Sequence, residues 1–295
     1  MKRIFLFLIT NIAVVAVLSL LIHVVMALLG VSPEQVFGED RGMLVKALVT
    51  AFVVGMAGSI ISLLMSKTMA KASVRAKTVT GEEGPAEAWL VQTVADLARA
   101  ANLKTPEVAI YQGSANAFAT GAFRNKALVA VSSDIMEQMT KDELRAVLGH
   151  EMSHVANGDM VTMALLQGIL NTFVIFVSRF AASALAGRGN NRRSSGALYY
   201  LVYQVCQVVL SGLASIIAMA FSRHREYAAD AGSAKLLGTP GPMIAALRRL
   251  NNLQPGVLPD SLKAFGIAGK RASLFATHPS IEDRIASLEK IQRGL

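Results

Sequence analysis

The sequence predicts a mainly helical integral membrane protein with a small β-sheet and about four transmembrane helices. Three observations carry that prediction. Hydrophobic residues make up 53% of the chain against 17% charged, with a mean hydropathy of +0.46, too apolar for an ordinary soluble domain. Four long apolar runs punctuate it, at residues 4–29, 47–65, 160–177 and 198–221. Between the second and third lies a mixed, globular stretch holding His150-Glu151-Met152-Ser153-His154.

The first run follows Lys2 and Arg3 and is longer than the apolar core of a signal peptide, with no clear small-residue cleavage site, so it reads as an uncleaved span. His23 within it reads as packed against another helix. The second run carries Gly55, Ser59 and Ser62, small residues that let a neighbouring helix approach. The connection between the two holds Glu34, Glu39 and Asp40 against Arg41. The flanks hold Lys2 and Arg3 on one side and Lys67, Lys71, Arg75 and Lys77 on the other, which places both flanks in the cytoplasm. The net charge of +9 and pI near 9.8 fit this arrangement, because the basic cluster follows a span directly and faces anionic headgroups. The lipid bilayer is thus the expected partner, and no motif for nucleic acid accompanies the charge. The lone Cys206 rules out an intramolecular disulfide.

Residues 85–102 read as an amphipathic helix with Trp89, Leu90, Val94, Leu97 and Ala101 on one side. Residues 108–111 and 128–132 read as short strands, with 113–121 connecting them. Thr140 and Glu143 form a capping box ahead of Leu144, Val147, Leu148 and Val155 at helical spacing. On that helix His150 and His154 are four apart and share a face, the spacing by which two imidazoles converge on one zinc ion with Glu151 beside the water to be activated. The charged segment 141–145 argues that the metal lies at the membrane surface.

Of the two later runs, 160–177 stops short of Arg179, and the polar segment 188–196 between them reads as a loop. If both runs span, this basic loop falls outside, against the positive-inside rule; either the first hairpin dominates orientation or the second pair is only partly inserted. A hairpin over 160–221 that spans twice returns the chain to the face it left. Residues 222–230 then continue the last helix. A catalytic zinc site takes three protein ligands, so the histidines need a partner; Glu226 can supply it, while Asp230, one turn on, can accept the outer N–H of a ligand histidine. His224, two residues before Glu226, points to another face. This organises the chain as a hairpin (1–66), a region bearing the histidine helix (67–159), a second hairpin (160–221) and a C-terminal region with the third ligand (222–295).

These motifs resemble the HtpX family of bacterial integral-membrane zinc metalloproteases, which is related to the CAAX prenyl proteases. The resemblance covers essentially the whole chain. It rests on the N-terminal hairpin, Asn116-Ala117-Phe118-Ala119-Thr120-Gly121, the histidine run continuing to Met160, residues 222–226 with Ala229 and Asp230, and Thr277-His278-Pro279 with Arg284. It implies a gluzincin-like domain holding one Zn2+ per chain on His150, His154 and Glu226, with catalysis by Glu151. It further implies a cytoplasm-facing site at the inner membrane, disposal of damaged membrane proteins under stress, and a place beside other quality-control proteases. By the same analogy His278, otherwise a turn residue, stabilises a developing oxyanion and is held by Arg284. A peptide would bind as an added strand along a wall formed by Asn116, Ala117 and Phe118.

Two other classes stay open at this level. An intramembrane protease of the site-2 type would place its ligands within apolar helices. A non-catalytic membrane zinc protein, such as a carrier or chaperone, would need His150, His154 and Glu226 but not Glu151.

Overall fold

The computed structural model describes residues 41–186, 192–253 and 278–294. The first apolar run with His23, the acidic connection through Asp40, positions 188–191 and Thr277 lie outside the described residues. In chain order the elements are α1 (Arg41–Ser73), β1 (Lys77–Thr78), α2 (Pro85–Ala100), β2 (Glu107–Tyr111), β3 (Ala117–Thr120), β4 (Leu128–Ser132), α3 (Ser133–Gln138), α4 (Lys141–Asn157), α5 (Asp159–Ala186), α6 (Arg192–Leu237), α7 (Gly241–Asn252) and α8 (Ile281–Gln292).

Three of these helices, α1, α5 and α6, are long and apolar enough to cross a bilayer. The charges inside them bound the apolar segments. From Lys46 to Lys67 in α1, and from Asp159 to Arg179 in α5, the rise is about 30 Å, one hydrocarbon thickness. The helix outlasts the third apolar run: α5 continues past 177 and Arg179 to Ala186, 28 residues in all. The polar segment before the fourth run is likewise shorter than expected, since α6 already begins at Arg192 and runs for 46 residues.

The chain divides into two units, one of Met1–Ile60 with Leu165–Ser215 and one of Ile61–Ala164 with Ile216–Leu295. In the first, α1 and α5 meet through small residues. A Cβ on Gly55 would lie 2.6 Å from the Thr172 backbone nitrogen, and one on Gly168 would lie 2.5 Å from Met56 Sδ. Only glycine permits that approach, which dispersion rewards in lipid. Val45, Val49, Phe52 and Val53 stay exposed, as lipid-facing side chains do in a structure without lipid.

The second unit is built on a four-stranded sheet of order β1-β2-β4-β3, in which β2 and β4 are parallel and the outer pairs antiparallel. The strand β3 occupies the segment that the sequence reads as a plain connection. Its four residues are all buried, so Ala-Phe-Ala-Thr shows none of the polar alternation by which a strand is recognised. Ala117 and Ala119 face the main core with Leu148 and Met152 of α4, whereas Phe118 faces a smaller core of Tyr111, Leu128 and Ala130. The helix α4 packs against β3, α2 and α7 and has twelve of its 17 residues buried, which is what rigidly places its histidines. Its capping box is complete: Thr140 Oγ1 accepts from Glu143 N at 3.3 Å, and Glu143 Oε2 accepts from Thr140 N at 2.8 Å.

The basic cluster after the second run does more than face headgroups. Lys67 Nζ and Lys71 Nζ lie 2.7 and 2.5 Å from the two oxygens of Glu107, tying the end of α1 to β2. Burial pushes the Glu107 carboxyl up, but these two ammonium groups and the Thr78 hydroxyl outweigh it and bring it down to about 2.

Candidate metal centre

The central residues of α4 carry charge and polarity into a buried environment. His150 and Glu151 are each 1% exposed, a placement that is costly without partners. The partners come from α6, which runs unbroken from the apolar segment through residue 230. Its crossing with α4 is close because small residues meet there. A Cβ on Gly149 would lie 2.9 Å from Ser233 Oγ, and one on Gly232 would lie 2.5 Å from Ser153 Oγ. Ser233 Oγ seals the contact by donating to the carbonyl of Ala146 at 2.7 Å.

That crossing brings Glu226 to the histidine pair. His150 Nε2 and His154 Nε2 are 3.1 Å apart, and they lie 3.5 and 3.4 Å from Glu226 Oε2 and Oε1. A tetrahedral zinc ion with bonds of about 2.0–2.1 Å separates its ligand atoms by roughly 3.3 Å, so the two ring nitrogens and the carboxylate oxygen facing each of them stand near the spacing such an ion needs. With each Nδ1 on a carboxylate and so carrying its ring's proton, the neutral rings turn two Nε2 lone pairs toward one another and toward the Glu226 carboxylate, an arrangement that one cation satisfies. The donor set therefore fits a divalent metal with nitrogen and oxygen preference.

The outer nitrogens of both rings are anchored. His150 Nδ1 lies 2.9 Å from Asp230 Oδ1, and Asp230 is in turn held by Arg284 through two bonds of 2.8 and 2.7 Å. The resemblance implies that Arg284 holds His278; the structure shows its guanidinium on Asp230, with Nη1 3.5 Å from Glu226 Oε2. His154 Nδ1 lies 2.6 Å from Asp159 Oδ2, and Arg225 Nε is 3.3 Å from Asp159 Oδ1. Both histidines thus have a carboxylate that fixes the ring's tautomer and an arginine that steadies the carboxylate. Asp159 and Arg225 were not legible in the sequence. The link depends on Gly158, whose left-handed backbone (φ 72°) ends α4 and turns Asp159 back toward His154 at the start of α5. Burial disfavours the cationic form of His154, yet Asp159 and Glu226 hold its pKa up to about 10, so a metal and a proton compete for this ring.

Glu151 lies beside the cluster. Burial pushes its carboxyl up to about 7 against the pull of His150 and His154, and its carboxylate takes a hydrogen bond from the backbone N–H of Ala119 on β3. Its Oε2 has no hydrogen-bond partner within the protein. His278, 4% exposed, puts Nδ1 2.9 Å from Glu226 Oε2, an ion-pair contact without hydrogen-bond alignment, and its Nε2 has no hydrogen-bond partner within the protein. Asn116 is buried at the start of β3; its Oδ1 accepts from Ala117 N at 2.9 Å. The side chain of Phe118 is turned into the smaller core, and Ala117 is fully buried, so a peptide would find main chain at this wall and not these side chains. His224 is exposed on another face of α6.

Comparison with known proteins agrees with this constellation. Residues 85–292 match the model of peptidase family M48. The chain is 53% identical over 298 residues to a protease HtpX homolog of Janthinobacterium sp. (strain Marseille), covering 99% of this chain and 100% of the relative. It is 52% identical over 304 residues to a protease HtpX homolog of Bordetella pertussis, covering 100% of both. Its fold is similar to the crystal structure of S. mikatae Ste24p, with a TM-score of 0.58 at 21% identity over 95% of this chain and 66% of that one. With three helices long enough to cross a bilayer, the chain belongs to peptidase family M48 as an integral membrane metalloprotease.

Proposed function

We propose that the protein is a zinc-dependent endopeptidase of the bacterial inner membrane that cuts damaged or misfolded membrane proteins at the cytoplasmic face. The observation that carries this reading is the convergence of His150, His154 and Glu226, whose ligand atoms lie within 4.8 Å of one another, with buried Glu151 alongside. Zinc bound there supplies a Lewis acid that polarises a peptide carbonyl and makes water nucleophilic near neutral pH. Glu151 takes the proton from the attacking water and returns it to the departing amine, a role suited to a carboxyl poised near 7. His278, whose Nδ1 faces Glu226 and whose Nε2 has no hydrogen-bond partner within the protein, would donate through Nε2 to the oxyanion that develops on the substrate. As the terminal strand of the sheet and beside Glu151, β3 would pair through its main chain with an extended peptide that displaces what buries it, a mode that favours broad sequence tolerance.

The depth of the cluster supports cleavage at the membrane surface over a mid-membrane cut. Asp159, bonded to His154, immediately precedes the apolar run of α5, and Glu226 follows the last apolar residue of the α6 run, Phe221, by roughly 7 Å of helix rise. The cytoplasmic orientation rests on the lysines and arginines flanking the N-terminal hairpin.

The test is a time course of self-cleavage and casein cleavage by purified protein, stripped of metal and then given zinc, beside Glu151→Ala treated identically. Zinc-dependent cutting by the wild type alone is the expected result. Equal zinc binding with no cutting by either protein would instead favour a non-catalytic zinc protein.

A further inference from the structure

Among the described residues, nearly every large apolar side chain left strongly exposed belongs to one of the three membrane-length helices. Phe123 does not. It sits at 60% exposure in the connection between β3 and β4, beside Arg124 and exposed Lys126. Phe123 is the most exposed of the large apolar side chains outside those helices among the described residues, and its position in the fold gives that exposure a use.

Gly121, Phe123 and Arg124 line an apolar hollow together with Met160 and Val161, the first apolar residues of α5. The connection therefore lies at the level where α5 enters the bilayer. It is held there, since the Arg124 guanidinium donates to the carbonyl of Ala156 near the end of α4. An aromatic side chain with an exposed lysine three residues on, at the mouth of a spanning helix, has the chemistry of the headgroup–acyl boundary: the ring enters the apolar edge while the Lys126 ammonium meets phosphate.

We infer that Phe123 inserts into the headgroup–acyl boundary of the bilayer, making the β3–β4 connection an interfacial anchor that holds the edge strand β3 at headgroup level. The anchor depends on α5 crossing the membrane and is independent of the proposed hydrolysis. Its consequence for function is positional, because chain segments leaving the bilayer would meet β3 first.

The chain has a single tryptophan, Trp89, so Trp89→Phe with Phe123→Trp yields one reporter. The protein is reconstituted into phosphatidylcholine and phosphatidylglycerol vesicles with either ordinary or brominated acyl chains. Insertion to the depth of an interfacial side chain predicts at least about a twofold loss of emission in brominated lipid, with little quenching by aqueous acrylamide. Emission insensitive to brominated lipid, whether quenched by acrylamide or sheltered from both, would overturn the anchor; in the sheltered case the ring is covered by protein. A spin label on Phe123→Cys in a Cys206→Ser background provides a second reading. Greater relaxation by oxygen than by an aqueous nickel chelate supports insertion, and the reverse order rejects it.

Discussion

Replacing Gly232 by Ala should weaken metal binding without unfolding the protein. The new Cβ would stand 2.5 Å from Ser153 Oγ and 2.7 Å from Ser153 Cβ, where ordinary contacts are about 3.5–4.0 Å. Ser153 has little room to yield, because its hydroxyl donates to the Gly149 carbonyl at 2.8 Å and Ser153 is buried. Relief therefore requires α4 and α6 to part by roughly 1 Å, while zinc ligands tolerate displacements of about 0.2 Å. His150 and His154 ride on one helix and Glu226 on the other, so the ligand set opens. Zinc affinity should fall at least about tenfold, or about 1.4 kcal/mol. Overpacking costs about 1–3 kcal/mol, but removing a mid-helix glycine returns up to about 1 kcal/mol, so the metal-free protein loses only a little stability. The assay is zinc titration against a competing chelator, with thermal unfolding in detergent as the control. Adding Ser153→Gly moves the Cβ from one helix to the other and should restore affinity. An unchanged zinc affinity in Gly232→Ala, or no rescue by the swap, would refute the claim that this crossing sets the ligand spacing.

Glu151→Gln should lower casein cleavage by about 10²–10⁴-fold, while equilibrium dialysis finds zinc still bound. Asp159→Asn should weaken zinc by about 10–100-fold by releasing His154, with Arg225→Gln weakening it less, both read by chelator competition. Zinc at about 100 times its dissociation constant should stabilise the protein by about 2.7 kcal/mol, and 1,10-phenanthroline should remove that gain in a melting curve. Glu107, depressed from 4.5 to about 2, contributes stability that is present above pH 4.5 and lost as pH falls toward 2. Its bound of about 3 kcal/mol should appear as a stability gap between wild type and Glu107→Gln at neutral pH that closes in acid, and a gap independent of pH would refute the assignment.

Local chemistry made much of this protein legible from its residues. The apolar runs announce α1, α5 and α6 because spanning a hydrocarbon layer demands uninterrupted apolar helix, and the Thr140–Glu143 box announces α4 because its two hydrogen bonds lie within one turn. His150, Glu151 and His154 declare themselves for the same reason, being neighbours on one helical face. Glu226 and Asp230 are visible as a pair one turn apart. What lay beyond reach was whatever depends on distant segments meeting. The edge strand β3 is buried on both sides and so lacks a periodic signature. Arg284 meets Asp230 across 54 residues, and its partner is settled by how α8 packs, not by its proximity to His278 in sequence. Asp159 serves His154 only because Gly158 reverses the chain between them. The sequence by itself determined which side chains could hold a metal, since ligand type and helical spacing are local properties; the tertiary structure decided that they do converge, because the separation of α4 and α6 is set by Gly149, Ser153, Gly232 and Ser233 meeting where no larger side chain fits.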